Sequence, residues 1–158
     1  MPSPTTTDHP SSTFSSPEHE VYLTLQRLAA DLGYQTAELL RGAELSPAQF
    51  NVLRILRGAG EEGLTWGEIG ERLITRDSDV TRLLDRLERQ ELITRVRSRQ
   101  DRRVVLTGIT ERGRSILADL DEPLADLHRA QLGHLGPRRL GHLLALLGEA
   151  ATPGKEVG

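Results

Sequence analysis

Between Arg72 and Arg103 the chain sets ten arginines against six acids, Asp77, Asp79, Asp85, Glu88, Glu91 and Asp101. Arginine carries a planar, weakly hydrated fork that pairs with phosphate and enters a narrow, strongly negative groove at low desolvation cost. Such a density suits holding and reading a polyanion rather than making or breaking bonds. The whole chain carries a formal charge of −3. Attraction to phosphates depends on local positive potential, so the overall acidity does not count against this chemistry.

Other chemistries find little support. With no cysteine in 158 residues, disulfides, thiol catalysis and cysteine-based redox sensing are excluded. The sequence shows no Gly-rich phosphate loop, no nucleophile motif and no clustered acid/base pair, so neither an enzyme nor a cofactor is expected. His128, His134 and His142 are spaced six and eight apart, on no common helical face, and no metal site is expected from them. Asp77 and Asp79 sit where a helix begins, the usual place for acids that complement its dipole.

The arginines need elements to aim them. Val80, Leu83, Leu84 and Leu87 stand at i, i+3, i+4 and i+7, predicting a helix from about Asp77 to Gln90 with one buried stripe. Ser78, Asp79, Thr81, Arg82, Asp85 and Arg86 are then forced outward, and those near the N-terminus face a groove if the helix docks end-first. A solvated face with i,i+4 ion pairs between Arg82, Arg86, Asp85 and Glu88 is the competing explanation. Next, Leu92 to Ser98 and Arg103 to Ile109 have β-branched, alternating character around the polar Arg99-Gln100-Asp101-Arg102, which predicts a hairpin. Arg95, Arg97, Arg99, Arg102 and Arg103 make it too basic for a mere structural flap. A helix followed by such a hairpin is a winged helix-turn-helix.

Upstream, Ser46-Pro47-Ala48-Gln49 and Thr65-Trp66-Gly67-Glu68 are two capping boxes. The first opens a helix at Pro47 that turns Phe50, Leu53 and Leu56 inward and stops before Gly58. The second opens a short helix ending near Leu73 or Ile74. A long amphipathic helix is expected from Val21 to Leu40, closed by Gly42 in a left-handed cap. After Thr110 another helical pattern runs through Ile116, Leu117, Leu120, Leu124 and Leu127, with Pro123 expected to kink or divide it. A turn at Gly133 to Gly136 precedes a last helix with five leucines between Leu140 and Leu147. That apolar surplus, with the one on the first helix, is best buried against a second copy of the chain.

Together the segments Leu83-Leu84-Asp85-Arg86-Leu87-Glu88, Leu92-Ile93, Asp101-Arg102-Arg103 and Ile109-Thr110-Glu111-Arg112-Gly113 resemble the signature of MarR-type regulators. The resemblance extends to Leu45 through Leu53 and to Leu64-Thr65, and so covers roughly Val21 to Ala150. It implies a mainly α (α+β) fold, a homodimer with a winged helix in each protomer, and binding to a pseudo-palindromic operator in double-stranded DNA, usually as a repressor. Arg82 matches a base-reaching position of the family's recognition helix, and Arg102 matches the arginine at the wing tip. Asp101 and Arg103 match a wing pair expected to hold the hairpin by a charge-assisted hydrogen bond. The expected DNA contacts are thus Ser78, Thr81, Arg82, Arg86, Arg99, Arg102 and Arg103. One departure is visible: where the family turns with Gly after the recognition helix, this chain has Glu91, so the cap must differ or Glu91 must tolerate strain.

The expected organisation is a disordered tail over 1–17, a dimerisation helix over 18–42, the DNA-binding domain over 43–110, dimerisation helices over 111–150 and a flexible tail over 151–158. The N-terminus has neither a basic start nor an apolar core, and no run approaches the ~18 apolar residues of a membrane span, so a soluble, cytoplasmic protein is expected. Family members are released by small, often aromatic or anionic ligands. Tyr34, Phe50 and Trp66 either line a pocket for such an effector, of unknown identity, or are core. The alternative from another class is a winged-helix protein-interaction module without DNA binding, whose mark would be neutral or acidic wings.

Overall fold

A computed structural model describes residues 16–74 and 79–152. The chain divides into two units, one ending at Gln35 and the other beginning at Thr36. The first consists of helix α1, Pro17–Arg41, up to Gln35; Val21, Tyr22, Leu25 and Leu28 are exposed on it. Helix α1 begins at Pro17, inside the stretch expected to be a tail, while residues 1–15 and 153–158 lie outside the described residues. Nor does Gly42 form the left-handed cap; the left-handed residue after α1 is Glu44, with φ 57°.

The second unit runs α2 (Pro47–Ala59), α3 (Trp66–Arg72), α4 (Val80–Arg89), β1 (Ile93–Arg97), β2 (Val105–Ile109), α5 (Glu111–Leu132), a 3-10 turn (Gly133–Leu135) and α6 (Gly136–Ala151). Both capping boxes form. The Gln49 amide donates to Ser46 Oγ at 3.2 Å while Gln49 Oε1 accepts from the Ser46 amide at 3.0 Å. Thr65 and Glu68 make the same reciprocal pair at the start of α3, at 3.3 and 2.8 Å. Helix α2 passes through Gly58 to Ala59 instead of stopping before it.

The core joins the HTH helices to the hairpin and α5. Leu40, Val52, Leu53 and Leu56 pack with Ile69, Leu84, Leu87, Leu92, Ile93 and Leu117, all buried. Burying a leucine of this kind contributes about 1.5–3 kcal/mol, so this cluster, not helix propensity, holds the glycine-weakened α3 in place. The strands pair antiparallel with Ile93 opposite Ile109 and Arg97 opposite Val105. A further bridge ties Leu64, ahead of α3, to Thr107 of β2, with N–H···O bonds of 2.9 and 2.8 Å. Gly63 allows this approach: its φ is +70°, and a Cβ there would stand 2.8 Å from the Thr107 carbonyl oxygen.

Pro123 does not divide α5, which runs unbroken from Glu111 to Leu132. Asp119, whose carbonyl loses its helical partner to the proline, is exposed, so water can replace the lost bond.

Between α4 and β1 the chain reverses at Glu91, which takes φ 59°. Of the two outcomes that the missing glycine left open, a different cap or strain at Glu91, the second is present. Neighbours hold it: the Leu92 amide donates to the Leu87 carbonyl at 2.9 Å, and the Thr110 hydroxyl donates to the Glu91 carbonyl at 2.8 Å. The Glu91 side chain only meets Arg112, at 3.4 Å and mostly exposed, a pair that contributes little. Glu91→Gly is expected to stabilise the protein by up to about 1 kcal/mol by removing the left-handed penalty. Chemical denaturation tests this; a lower midpoint for the variant would mean that the Glu91 side chain does more than its contacts indicate.

Candidate nucleic-acid interface

Helix α4 turns Val80, Leu84 and Leu87 into the core, with Leu83 partly buried. Asp79 is exposed, as expected, and is the N-cap of the helix: the Arg82 amide donates to Asp79 Oδ1 at 3.2 Å. Of the expected groove-facing residues, Thr81, Arg82 and Arg86 are exposed on one side of the helix, and Ser78 lies outside the described residues. Asp79, Arg82, Leu83 and Arg86 border a shallow hollow of about 220 Å³.

The ion pairs weighed as a competing explanation do not form among the described residues. Asp85 and Glu88 pair instead with Arg95 of β1. Arg95 Nη2 donates to Asp85 Oδ1 at 2.7 Å and Nε to Glu88 Oε2 at 2.9 Å, with a second bond from Nη2 to Glu88 Oε2. These hydrogen bonds hold the Glu88 carboxyl below its ordinary pKa and raise that of Arg95. Arg95, counted from the sequence among the arginines of a DNA-facing wing, thus faces the recognition helix. Strand alternation carried that signal, since Arg95 shares a face with the buried Ile93.

The hairpin tip is held by its own backbone. The Ser98 amide donates to the Val104 carbonyl at 2.8 Å and the Val104 amide to the Asp101 carbonyl at 2.9 Å. Arg97 Nη1 donates to the Arg102 carbonyl at 2.9 Å. The expected Asp101–Arg103 contact exists, but through the Arg103 backbone amide, 2.9 Å from Asp101 Oδ1, and not through the guanidinium. A carboxylate accepting an amide at the turn shapes the loop as well as a side-chain pair would, and leaves the Arg103 head outward. Arg99, Arg102 and Arg103 are exposed, and none of them, nor Arg82 or Arg86, makes an ion pair among the described residues.

Two further contacts join elements distant in sequence and were not legible in it. Gln49, nearly buried, uses its Nε2 to donate to Gln90 Oε1 at 3.0 Å while its Oε1 caps α2, so one side chain joins the start of α2 to the end of α4. Arg57 of α2 makes a two-pronged pair with Asp121 of α5, at 2.8 and 2.9 Å.

Helix, hairpin and arginine geometry coincide with a known family. The MarR family model matches residues 45–105. The HTH-type transcriptional regulator MhqR of Bacillus subtilis is 30% identical over 101 residues, which cover 64% of this chain and 68% of that protein. Among solved structures, a MarR transcription factor from Planctomyces limnophilus is 38% identical, with TM-score 0.65, over 85% of this chain and 98% of that one. The chain belongs to the MarR family. A mutant MarR from E. coli in complex with operator DNA is 25% identical, with TM-score 0.76, over 87% of this chain and the whole of that one.

As a MarR winged-helix transcriptional regulator, the chain has α4, β1 and the arginine-bearing hairpin tip inside the segment matched by the family model, which ends at the first residue of β2. Tyr34 and Trp66 are not core residues: they are 69% and 60% exposed. Phe50 is partly buried against the core, with the Arg54 guanidinium 5.8 Å from its ring centre. Among the described residues no cluster of His, Cys, Asp or Glu is arranged to hold a metal ion, and no helix is long and apolar enough to cross a membrane.

Proposed function

We propose that this MarR protein binds a pseudo-palindromic operator as a homodimer, usually repressing, in the cytoplasm where that DNA lies. Each protomer sets α4 in the major groove and the hairpin in the flanking minor groove. One observation carries this reading: Thr81, Arg82 and Arg86 on α4 and Arg99, Arg102 and Arg103 on the hairpin are exposed and without carboxylate partners among the described residues. An interaction module without DNA binding would have neutral or acidic wings, and this one is basic. The exposed apolar residues of α1 and of α6 (Leu144, Leu146, Leu147) supply the proposed dimer surface. Regulation then follows from a small-molecule effector that changes the distance between the two recognition helices. A thermal-shift screen of phenolic acids, purines and metals, followed by a DNA-release assay, would identify it.

The decisive experiment uses duplexes selected by the wild-type protein from a random library. Arg82 lies near the start of α4, and its replacement by alanine is expected to remove roughly 1–3 kcal/mol of discrimination between the selected and random duplexes. Arg102→Ala is expected to weaken binding to both and to flatten the slope of log K against log salt by about 0.9 per lost phosphate contact in each protomer. Equal losses on both duplexes for Arg82→Ala would make it a phosphate contact. An unchanged slope would remove Arg102 from the interface.

A further inference from the structure

The acids of α4 raise a question that the arginines do not. Asp85 lies one turn beyond Arg82 and next to Arg86, and Glu88 one turn beyond Asp85. Two carboxylates on a helix lying against phosphates would repel them and cancel the attraction of the two arginines. Neither is left alone: one oxygen of each accepts from the single guanidinium of Arg95, at 2.7 Å for Asp85 and 2.9 Å for Glu88. Arg95 itself is only 28% exposed, against 41% for each acid. Arg97, two residues further along the same strand face, does not join them; it bonds the Arg102 carbonyl.

We infer that Arg95 is a positioning residue that masks charge: from β1 it neutralises Asp85 and Glu88, keeping both carboxylates turned away from the phosphates that Arg82 and Arg86 approach. The inference rests on the DNA-binding reading above. The fork geometry matters, because Nε and Nη2 reach two acids one turn apart at once, whereas a lysine ammonium is a single point charge. The two roles assigned to arginine in this domain are therefore separate. Arg82, Arg86 and the tip arginines meet DNA, and Arg95 meets the protein so that they can.

The test is a rescue series in the full-length protein, measured on the duplex selected by wild type. Arg95→Ala is expected to weaken binding at least about tenfold, since two unmasked acids then face the phosphates. Adding Asp85→Asn and Glu88→Gln to Arg95→Ala is expected to restore affinity to within about threefold of wild type, with an unchanged salt slope, because Arg95 contributes no phosphate contact. Arg95→Ala binding as tightly as wild type would overturn the inference. So would a folded triple variant that stays tenfold weak, or one whose slope falls by about 0.9 per protomer, which would make Arg95 a phosphate ligand. If Arg95→Ala alone does not fold, the triple variant, which buries no unpaired acid, carries the test by the same criteria. Failure of the wild type itself to bind any duplex would instead overturn the DNA-binding reading and this inference with it.

Discussion

Leu144→Asp is expected to yield a folded monomer that loses its selected duplex by on the order of a hundredfold or more. Leu144 is 74% exposed in the protomer, and α6 has no buried residue, so the helix gains nothing from its own chain at this position. In the proposed homodimer its apolar face is covered by a second copy. Replacing leucine there with a carboxylate would bury an unpaired charge in the dimer while leaving the protomer's core untouched. Leu143, which is partly buried, is the poorer choice, because a charge there also threatens the fold. The loss in DNA binding follows from geometry. Two recognition helices must stand about 34–36 Å apart to enter successive major grooves on one face, and a monomer offers half the contacts. Light scattering and duplex binding on the same samples decide the matter. A Leu144→Asp protein that stays dimeric, or a wild-type monomer that binds as tightly as a dimer should, would contradict the proposed assembly.

Gly113→Ala is the second large effect, and it acts on folding. A Cβ at this position would stand 2.5 Å from the Leu92 carbonyl oxygen and 2.8 Å from Ile109 Cγ1. The first of these is backbone at the junction of α4 and β1, already held by the Thr110 amide donating to the same carbonyl at 3.0 Å. It cannot swing aside as a flexible side chain would, so the cost is expected to reach about 3 kcal/mol. For a domain of this size that lowers the midpoint of thermal unfolding by roughly 6–12 °C. Gly67→Ala is the matched control. Nothing lies within 4 Å of its added carbon, and alanine in α3 should be neutral or stabilising by up to about 1 kcal/mol. Similar midpoints for the two variants would show that the close approach at Gly113 relaxes freely.

These cases show where sequence reasoning reaches and where it stops. Local chemistry was readable: Ser46 with Gln49 and Thr65 with Glu68 cap helices in the expected way, the stripe of Val80, Leu84 and Leu87 is buried, and Glu91 takes the strained conformation, one of the two outcomes that its place in the motif left open. Contacts between residues distant in sequence were not. Gln49 and Gln90 are 41 positions apart, and nothing in either residue announces the other. The Leu64–Thr107 bridge likewise depends on how α3 packs, which periodicity does not specify. Charge counting misassigned Arg95 because it treats every arginine as equally available, whereas direction decides availability, and direction follows from the alternation of β1. The same limit applied to Asp101 and Arg103, where the residue pair was right and the donating atom was the main-chain amide.

The division of labour around α4 has a consequence for how such a regulator changes its target. Its inner strip packs, a flank carrying Asp85 and Glu88 is tied to the hairpin, and the strip with Thr81, Arg82 and Arg86 supports nothing within the described residues. Substitutions on that last strip cost little folding stability, being surface changes away from core, cap and strained backbone. New sequence preferences can therefore be sampled one residue at a time, with every intermediate still folded. On the proposed reading, in which Thr81, Arg82 and Arg86 face the bases, duplicated copies of the chain could drift apart in what they read, and an engineer could redirect the protein at these positions, while the scaffold beneath stays the same.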